Sequence, residues 1–254
     1  MREQIIFALD KNLGFPIEDP KWQAFFNKHN IVLNHYLDMK KMTADLQQNP
    51  IGLSYLPTAN YYYLRNNESY TPVANALFTA NQTSHISSVL VVSKKSNINS
   101  LDELKDKRLG YINLFCTSSY FAPAILLWQN HYSIDNFFSK LQEVGAWQRQ
   151  VDAVIAGEID ATMVQEDIWH KLPENAEKTE ILGKVDNLPS PLLICSKQLD
   201  QKIKDELTAL LFHYTPKASP EALFNGFIPY HGELVHAFFD NSEKAFKIKS
   251  ASLH

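Results

Sequence analysis

Four small residues with polar side chains, Cys116-Thr117-Ser118-Ser119, stand between an apolar strand pattern at 109–112 and an apolar helical run containing Pro123. Proline has no N–H and is tolerated in the first helical turn, so its position predicts a helix starting near Ser118 or Ser119. The first amides of a helix have no intrahelical acceptor and together carry about half a positive charge; the Thr117 and Ser118 hydroxyls add directed donors. Such an end binds an oxyanion without an arginine. The same residues admit a plainer reading, in which Ser118 or Ser119 only caps the helix. Cys116 adds a further chemistry, because the field that attracts an anion also stabilises a thiolate. A cysteine packed passively beside the turn is the alternative.

Other chemistries lack their signatures. The nine histidines form no HExxH motif and no Cys/His zinc spacing, and His231 and His236 stand five apart, off a shared helix face. No G-x-S-x-G, P-loop or G-x-G-x-x-G occurs, so no catalytic residue, metal or cofactor is expected. Cys116 and Cys195 are the two cysteines and make neither a metal motif nor a disulfide framework. The net charge of −4, with no basic stripe, speaks against nucleic acid as a partner. No apolar run approaches the roughly 20 residues that span a bilayer. Residues 1–9 read as an immediate first strand without the features of a secretory signal. Two expectations stay open there: a protein that remains inside the cell, or one whose leader precedes the sequence given.

The elements that must position the turn follow from the apolar rhythm. With 254 residues, 45% of them hydrophobic, the chain can bury one large core or the cores of two small lobes. Short apolar runs alternate with helical patterns, which predicts an α/β protein with mainly parallel sheets. Strands are expected at 4–9, 31–36, 51–55, 73–78, 89–93, 108–112, 159–164 and 192–195, and helices at 21–28, 39–48, 119–129, 147–156 and 200–213. Residues 89–99 and 187–194 each join a polar or proline-rich turn to an apolar strand and read as hinge crossings. They divide the chain into one lobe of 1–93 plus 190–254 and another of 94–189, with a ligand cleft between that closes by hinge motion. A single continuous sheet with long loops is the competing arrangement.

Several further segments recur in a recognisable order. An apolar strand, proline, two small residues and an aromatic stand at Leu53-Ser54-Tyr55-Leu56-Pro57-Thr58-Ala59-Asn60-Tyr61. Residues 98–107 look like the pattern I-x-S-L-x-D-L-K-x-K after the first hinge strand, with Glu103 at its aspartate position, and 153–161 fit A-V-x-x-G-x-x-D-A. A return strand follows an L-P-x-P turn at 188–191, and Gly226-Phe227-Ile228-Pro229-Tyr230 follows the last predicted helix. From about residue 51 to 230 this order resembles the phosphate/phosphite/phosphonate-binding family of ABC-importer solute-binding proteins, which have the two-lobed type II periplasmic-binding fold.

The resemblance implies a periplasmic or cell-envelope monomer. It would capture a small oxyanion-bearing ligand, such as a phosphonate or phosphate ester, by hinge closure and pass it to an ABC-transporter permease. It gives Thr117, Ser118 and the Ser119 backbone the role of gripping the anion, and it lines the opposing wall with Tyr55, Thr58 and Tyr61. The family's acidic ligand contact falls on Glu166 or Asp167. Packing of an aromatic helix face is the alternative for Tyr61-Tyr62-Tyr63. The chain also departs from the family pattern. Cys116 replaces the first serine of the anion loop, Ile86 a tyrosine, Ala146 and Trp147 a histidine region, and Ser190 an acidic residue. Trp147 and the tyrosines then imply a more apolar or aromatic ligand portion. A second functional class shares this fold: an intracellular enzyme similar to pyrimidine-precursor synthases, or a ligand-sensing domain.

Overall fold

The run Ile5-Ile6-Phe7-Ala8-Leu9 forms the first strand of a computed structural model that describes residues 4–48, 52–213 and 223–246. In chain order the elements are β1 (Ile5–Asp10), α1 (Pro20–Lys28), β2 (Ile31–Tyr36), α2 (Met39–Gln48), β3 (Leu53–Leu56), α3 (Thr58–Leu64) and β4 (Tyr70–Phe78). Then come β5 (His85–Ser93), β6 (Arg108–Tyr111), α4 (Ala122–Gln129), α5 (Ile134–Phe137), β7 (Lys140–Glu143), α6 (Trp147–Ile155) and β8 (Ala161–Gln165). The chain continues through α7 (Glu166–His170), α8 (Pro173–Lys178), β9 (Thr179–Pro189), β10 (Leu192–Ser196), α9 (Gln201–Phe212), β11 (Phe224–Pro229) and α10 (Gly232–Phe246). Residue 51, the start of one expected strand, lies outside the described residues.

Contacts divide the chain into two units, Met1–His85 with Pro189–Gly232, and Ile86–Leu188 with Glu233–His254. The chain therefore passes between units after His85, Leu188 and Gly232, whereas the sequence suggested two crossings, near 93 and 190, and kept 233–254 in the first lobe. The third crossing exists because α10 buries Val235, Phe238 and Phe239, and Phe238 meets Phe121 with ring centroids 5.5 Å apart. Phe246 adds a stacked contact with Tyr120 at 5.5 Å.

In the first unit the strand order is β11-β4-β10-β3-β1-β2. β1 pairs in parallel with β2 and β3, while β10 runs antiparallel to β3 and β4, and β11 to β4. In the second unit the order is β7-β6-β8-β5-β9, with β6 parallel to β7 and β8 and β5 antiparallel to β8. Both sheets are mixed rather than mainly parallel. Each recruits a strand that enters from a distant part of the chain after a turn, β10 through Pro189-Ser190-Pro191, and such a strand is free to run in reverse.

The first unit's core is aromatic. Asp19 caps α1 by accepting from the Lys21 N–H, and Pro20 occupies the first turn, so α1 presents Trp22, Phe25 and Phe26 to the sheet. Phe15 meets Phe7 at 5.0 Å, Trp22 at 4.8 Å and Tyr55 at 5.2 Å, all edge-on. Trp22 is fully buried. Trp22→Ala is therefore expected to lower stability by about 3–5 kcal/mol in denaturant unfolding; a loss below about 1 kcal/mol would contradict this packing.

Candidate functional site

Three parallel strands of the second unit, β7, β6 and β8, end at one sheet edge, and each is followed there by a helical start. The connection from β6 leads outward to the edge strand β7, and that from β7 returns past β6 to β8. This reversal makes the carboxyl ends of β6 and β8 a topological switch point, where ligand crevices form in open α/β sheets.

After β6, residues Thr117–Phe121 form a π-helical turn, and α4 begins only at Ala122. The helix thus opens differently from the α-helical start expected at Ser118 or Ser119, and the proline supplies the reason. The Cys116 carbonyl accepts from Tyr120 N–H at 3.1 Å and Phe121 N–H at 3.2 Å, and the Thr117 carbonyl accepts from Ala122 N–H. The next bond in that register would come from Pro123, which has no N–H. The Ser88 hydroxyl stands in its place, 2.8 Å from the Ser118 carbonyl and 3.0 Å from that of Val164.

Ser119 is fully buried, and its Oγ accepts from the Ile112 N–H at 3.0 Å, so its hydroxyl closes the loop and only its backbone faces the turn's interior. Neither serine is the cap. Cys116 holds the N-cap position in extended backbone, and its side chain bonds no helix amide. Its Sγ lies 3.4 Å from Ser118 Oγ. Cys116 and Thr117 are half-buried and Ser118 is buried. The structure thus gathers Cys116, Thr117, Ser118 and Ser119 into one turn, at whose start the N-cap residue Cys116 makes no side-chain capping bond.

The other two helical starts complete the edge. Gly145, in the left-handed region at φ +91°, turns the chain from β7 into α6. Ala146 offers α6 no side-chain cap, and Trp147 and Gln150 follow on its first turn. After β8, Glu166 pairs with Lys184 at 2.8 Å, whereas Asp167 accepts from Gln165 Nε2 at 3.3 Å. Of the two acidic alternatives, Glu166 is the one committed to an ion pair.

In the first unit, Thr58 and Ser190 come together, the Thr58 hydroxyl donating to the Ser190 carbonyl at 2.5 Å. Asn75, which sequence reasoning missed, reaches Ser190 Oγ at 3.4 Å and accepts from the His231 N–H at 2.8 Å. A single polar residue inside an apolar strand run was its only signal. Tyr61 is nearly buried and its phenol is pushed up to about 12 by burial, with Tyr230 close enough to add to the shift. Tyr55 belongs to the aromatic core, 1% exposed, with Phe15, Phe224 and Phe227 around its ring. Asp10, also missed, sits buried at the end of β1 and accepts from the Asn12 N–H at 2.9 Å. Burial raises its pKa.

Among the described residues no three His, Cys, Asp or Glu side chains gather as metal ligands, and no helix is long and apolar enough to cross a membrane.

A family model for the periplasmic phosphonate substrate-binding protein of ABC transporters matches residues 29–234. A search of curated proteins found no match. Among solved structures, a Xanthomonas citri protein bound to chloride superposes with a TM-score of 0.76 at 15% identity, covering 96% of this chain and 98% of that one. The Xanthomonas protein bound to ATP gives 0.75 at 16%, with the same coverage. PhnD1 of Prochlorococcus marinus in complex with methylphosphonate gives 0.74 at 14% identity, covering 98% and 100%. These likenesses show the fold, the α/β fold of the two-lobed periplasmic binding proteins.

Two outcomes follow for the residues around these sites. Ser119→Ala strands the Ile112 N–H and is expected to cost about 1–3 kcal/mol in denaturant unfolding; no loss would contradict the bond. Asp10 titrates higher in the folded than in the unfolded chain, so its penalty is absent at acid pH and grows as pH rises through the folded pKa. Asp10→Asn should therefore raise the melting temperature at neutral pH, with the gain shrinking towards pH 4. A gain that grew on acidification would have the wrong sign.

Proposed function

The chain belongs to the family of periplasmic substrate-binding proteins of phosphonate ABC transporters, and on that basis we propose that it captures a phosphonate or phosphate ester on the Thr117–Ser119 turn. The observation that carries this reading is the start of the helix after β6. A π-turn with no side-chain cap opens at a topological switch point, lined by hydroxyls and backbone amides. Two similar proteins are bound to anions, chloride in one and methylphosphonate in the other, which supports an anion as the ligand.

The grip is made of neutral donors. Backbone N–H groups of residues 117–119 and the Thr117 and Ser118 hydroxyls direct hydrogen bonds to oxyanion oxygens, with the helix dipole behind them. Cys116, in the place of a stronger donor, packs against Ser118 and contributes bulk and polarisability. The Trp147 ring faces the organic portion of the ligand, and Asp167 an amine where one is present. Thr58, Tyr61 and Ser190 supply contacts from the first unit. Capture ends when the two units close on the ligand, because the closed form is the one that contacts it from both sides. No bond is broken. Family membership implies a membrane permease as the partner that receives the ligand. The family is periplasmic, and this chain works in that compartment as a monomer.

Calorimetric titration with methylphosphonate, phenyl phosphate, phosphate, sulfate and chloride tests the reading. A phosphonate or phosphate ester should bind most tightly, and the Thr117→Ala/Ser118→Ala double variant should weaken it about tenfold or more. Absence of binding, or an unchanged double variant, contradicts the anion site. Tight binding confined to bare inorganic ions contradicts the organic portion.

A further inference from the structure

Two nitrogen donors, three residues apart on α6, are buried without an acceptor among the described residues: Nε1 of Trp147 and Nε2 of Gln150. Gln150 is fully inaccessible. Residues at i and i+3 share a helix face, and helical side chains lean towards the N-terminus of their own helix. Both donors therefore point to the start of α6, at the edge where the β6 turn opens. A buried donor that lacks a partner is costly, and two on one face mark a place prepared for a group from outside the chain.

The far end of the Gln150 amide is held by the sheet. Thr162 Oγ1 lies 2.8 Å from Gln150 Oε1 and 2.9 Å from the Gly110 carbonyl, one proton facing two acceptors. Given to Oε1, that proton leaves Nε2 outward as a donor. Given to Gly110, it favours the reversed amide, with Nε2 donating to Thr162 and the oxygen outward. In either arrangement one polar end of Gln150 has no partner among the described residues.

We propose that Gln150, with Trp147 beside it, determines specificity by donating to an oxygen of the bound anion that the Thr117–Ser119 turn leaves free. The inference rests on the proposed function and gives its tetrahedral oxyanion a further contact, one that a planar carboxylate or a bare halide cannot use. A phosphonate or phosphate ester has oxygens enough for both the turn and the amide. A carboxylate spends both of its oxygens on the turn, and chloride has none. An ionised oxygen opposite Gln150 selects the arrangement with Nε2 outward, so binding settles where the Thr162 proton goes.

Methylphosphonate and acetate are titrated calorimetrically into the wild type, Gln150→Met, Gln150→Glu and Trp147→Phe at pH 8 and pH 5, with melting curves to establish folding. The wild type should prefer methylphosphonate, and Gln150→Met should lose about tenfold or more of that affinity with little change for acetate. Gln150→Glu should lose more at pH 8, where its carboxylate repels the anion, and recover towards the Met variant at pH 5, where a buried carboxyl takes up a proton. The ratio of variant to wild type at each pH cancels the titration of the ligand. If the Met variant does not fold, Trp147→Phe, which removes the indole N–H together with the pyrrole part of the ring, decides through the ratio of the two probes, with an expected loss of several-fold for methylphosphonate and little change for acetate. Variants within about twofold of the wild type at both pH values overturn the inference and leave the anion site standing. A wild type that binds neither probe overturns the proposed function, and this inference with it.

Discussion

The missing N–H of Pro123 shapes the start of the helix after β6. The Cys116 and Thr117 carbonyls reach forward to Tyr120, Phe121 and Ala122, and the carbonyl of Ser118, left without its proline partner, is taken by Ser88 from a neighbouring strand. Ser119 turns its hydroxyl back to Ile112. Each of these bonds satisfies a group that would otherwise compete for the first amides of the turn. The turn so fixed to β5 and β6 carries its amides and hydroxyls at the carboxyl edge of the sheet.

A protein with a net charge of −4 can hold an anion because potential is local. Charges more than about 10 Å away are screened at ordinary ionic strength, while amides and hydroxyls in contact act directly. Two acidic groups of the second unit are engaged in ion pairs, Glu166 at this edge and Asp160 at the opposite, amino end of the strands. Glu166 is paired with Lys184, and Asp160 is held by Arg108 at 2.9 Å, which lowers its pKa through the hydrogen bond and adjacent charge. Neutral donors suit a binding protein that must also release its ligand, since they select by the placement of oxygens more than by charge.

Much of the framework was legible because it is written in periodicity. The strand at 31–36 and the helix at 39–48 have the bounds their patterns imply. β9 escaped notice because Glu180, Lys184 and Asp186 break its apolar alternation, as suits a strand at the edge of a sheet. α10 escaped because a helix that begins at Gly232 has little start signal. Tyr55 was assigned to a ligand wall, yet all four residues of β3 are buried, so alternation could not tell which face carries the core. The π-turn needed the Ser88 hydroxyl, 30 residues away, and the Gln150 amide needed Thr162 and Gly110. Partners so distant in sequence leave no local pattern.

The central claim is that backbone amides of the turn hold the anion, and amide chemical shifts report on this most directly. In a titration of the 15N-labelled protein with methylphosphonate, the account predicts that the amide protons of Thr117, Ser118 and Ser119 move downfield and saturate together with the binding isotherm. Saturable binding during which those three signals stay in place would contradict it.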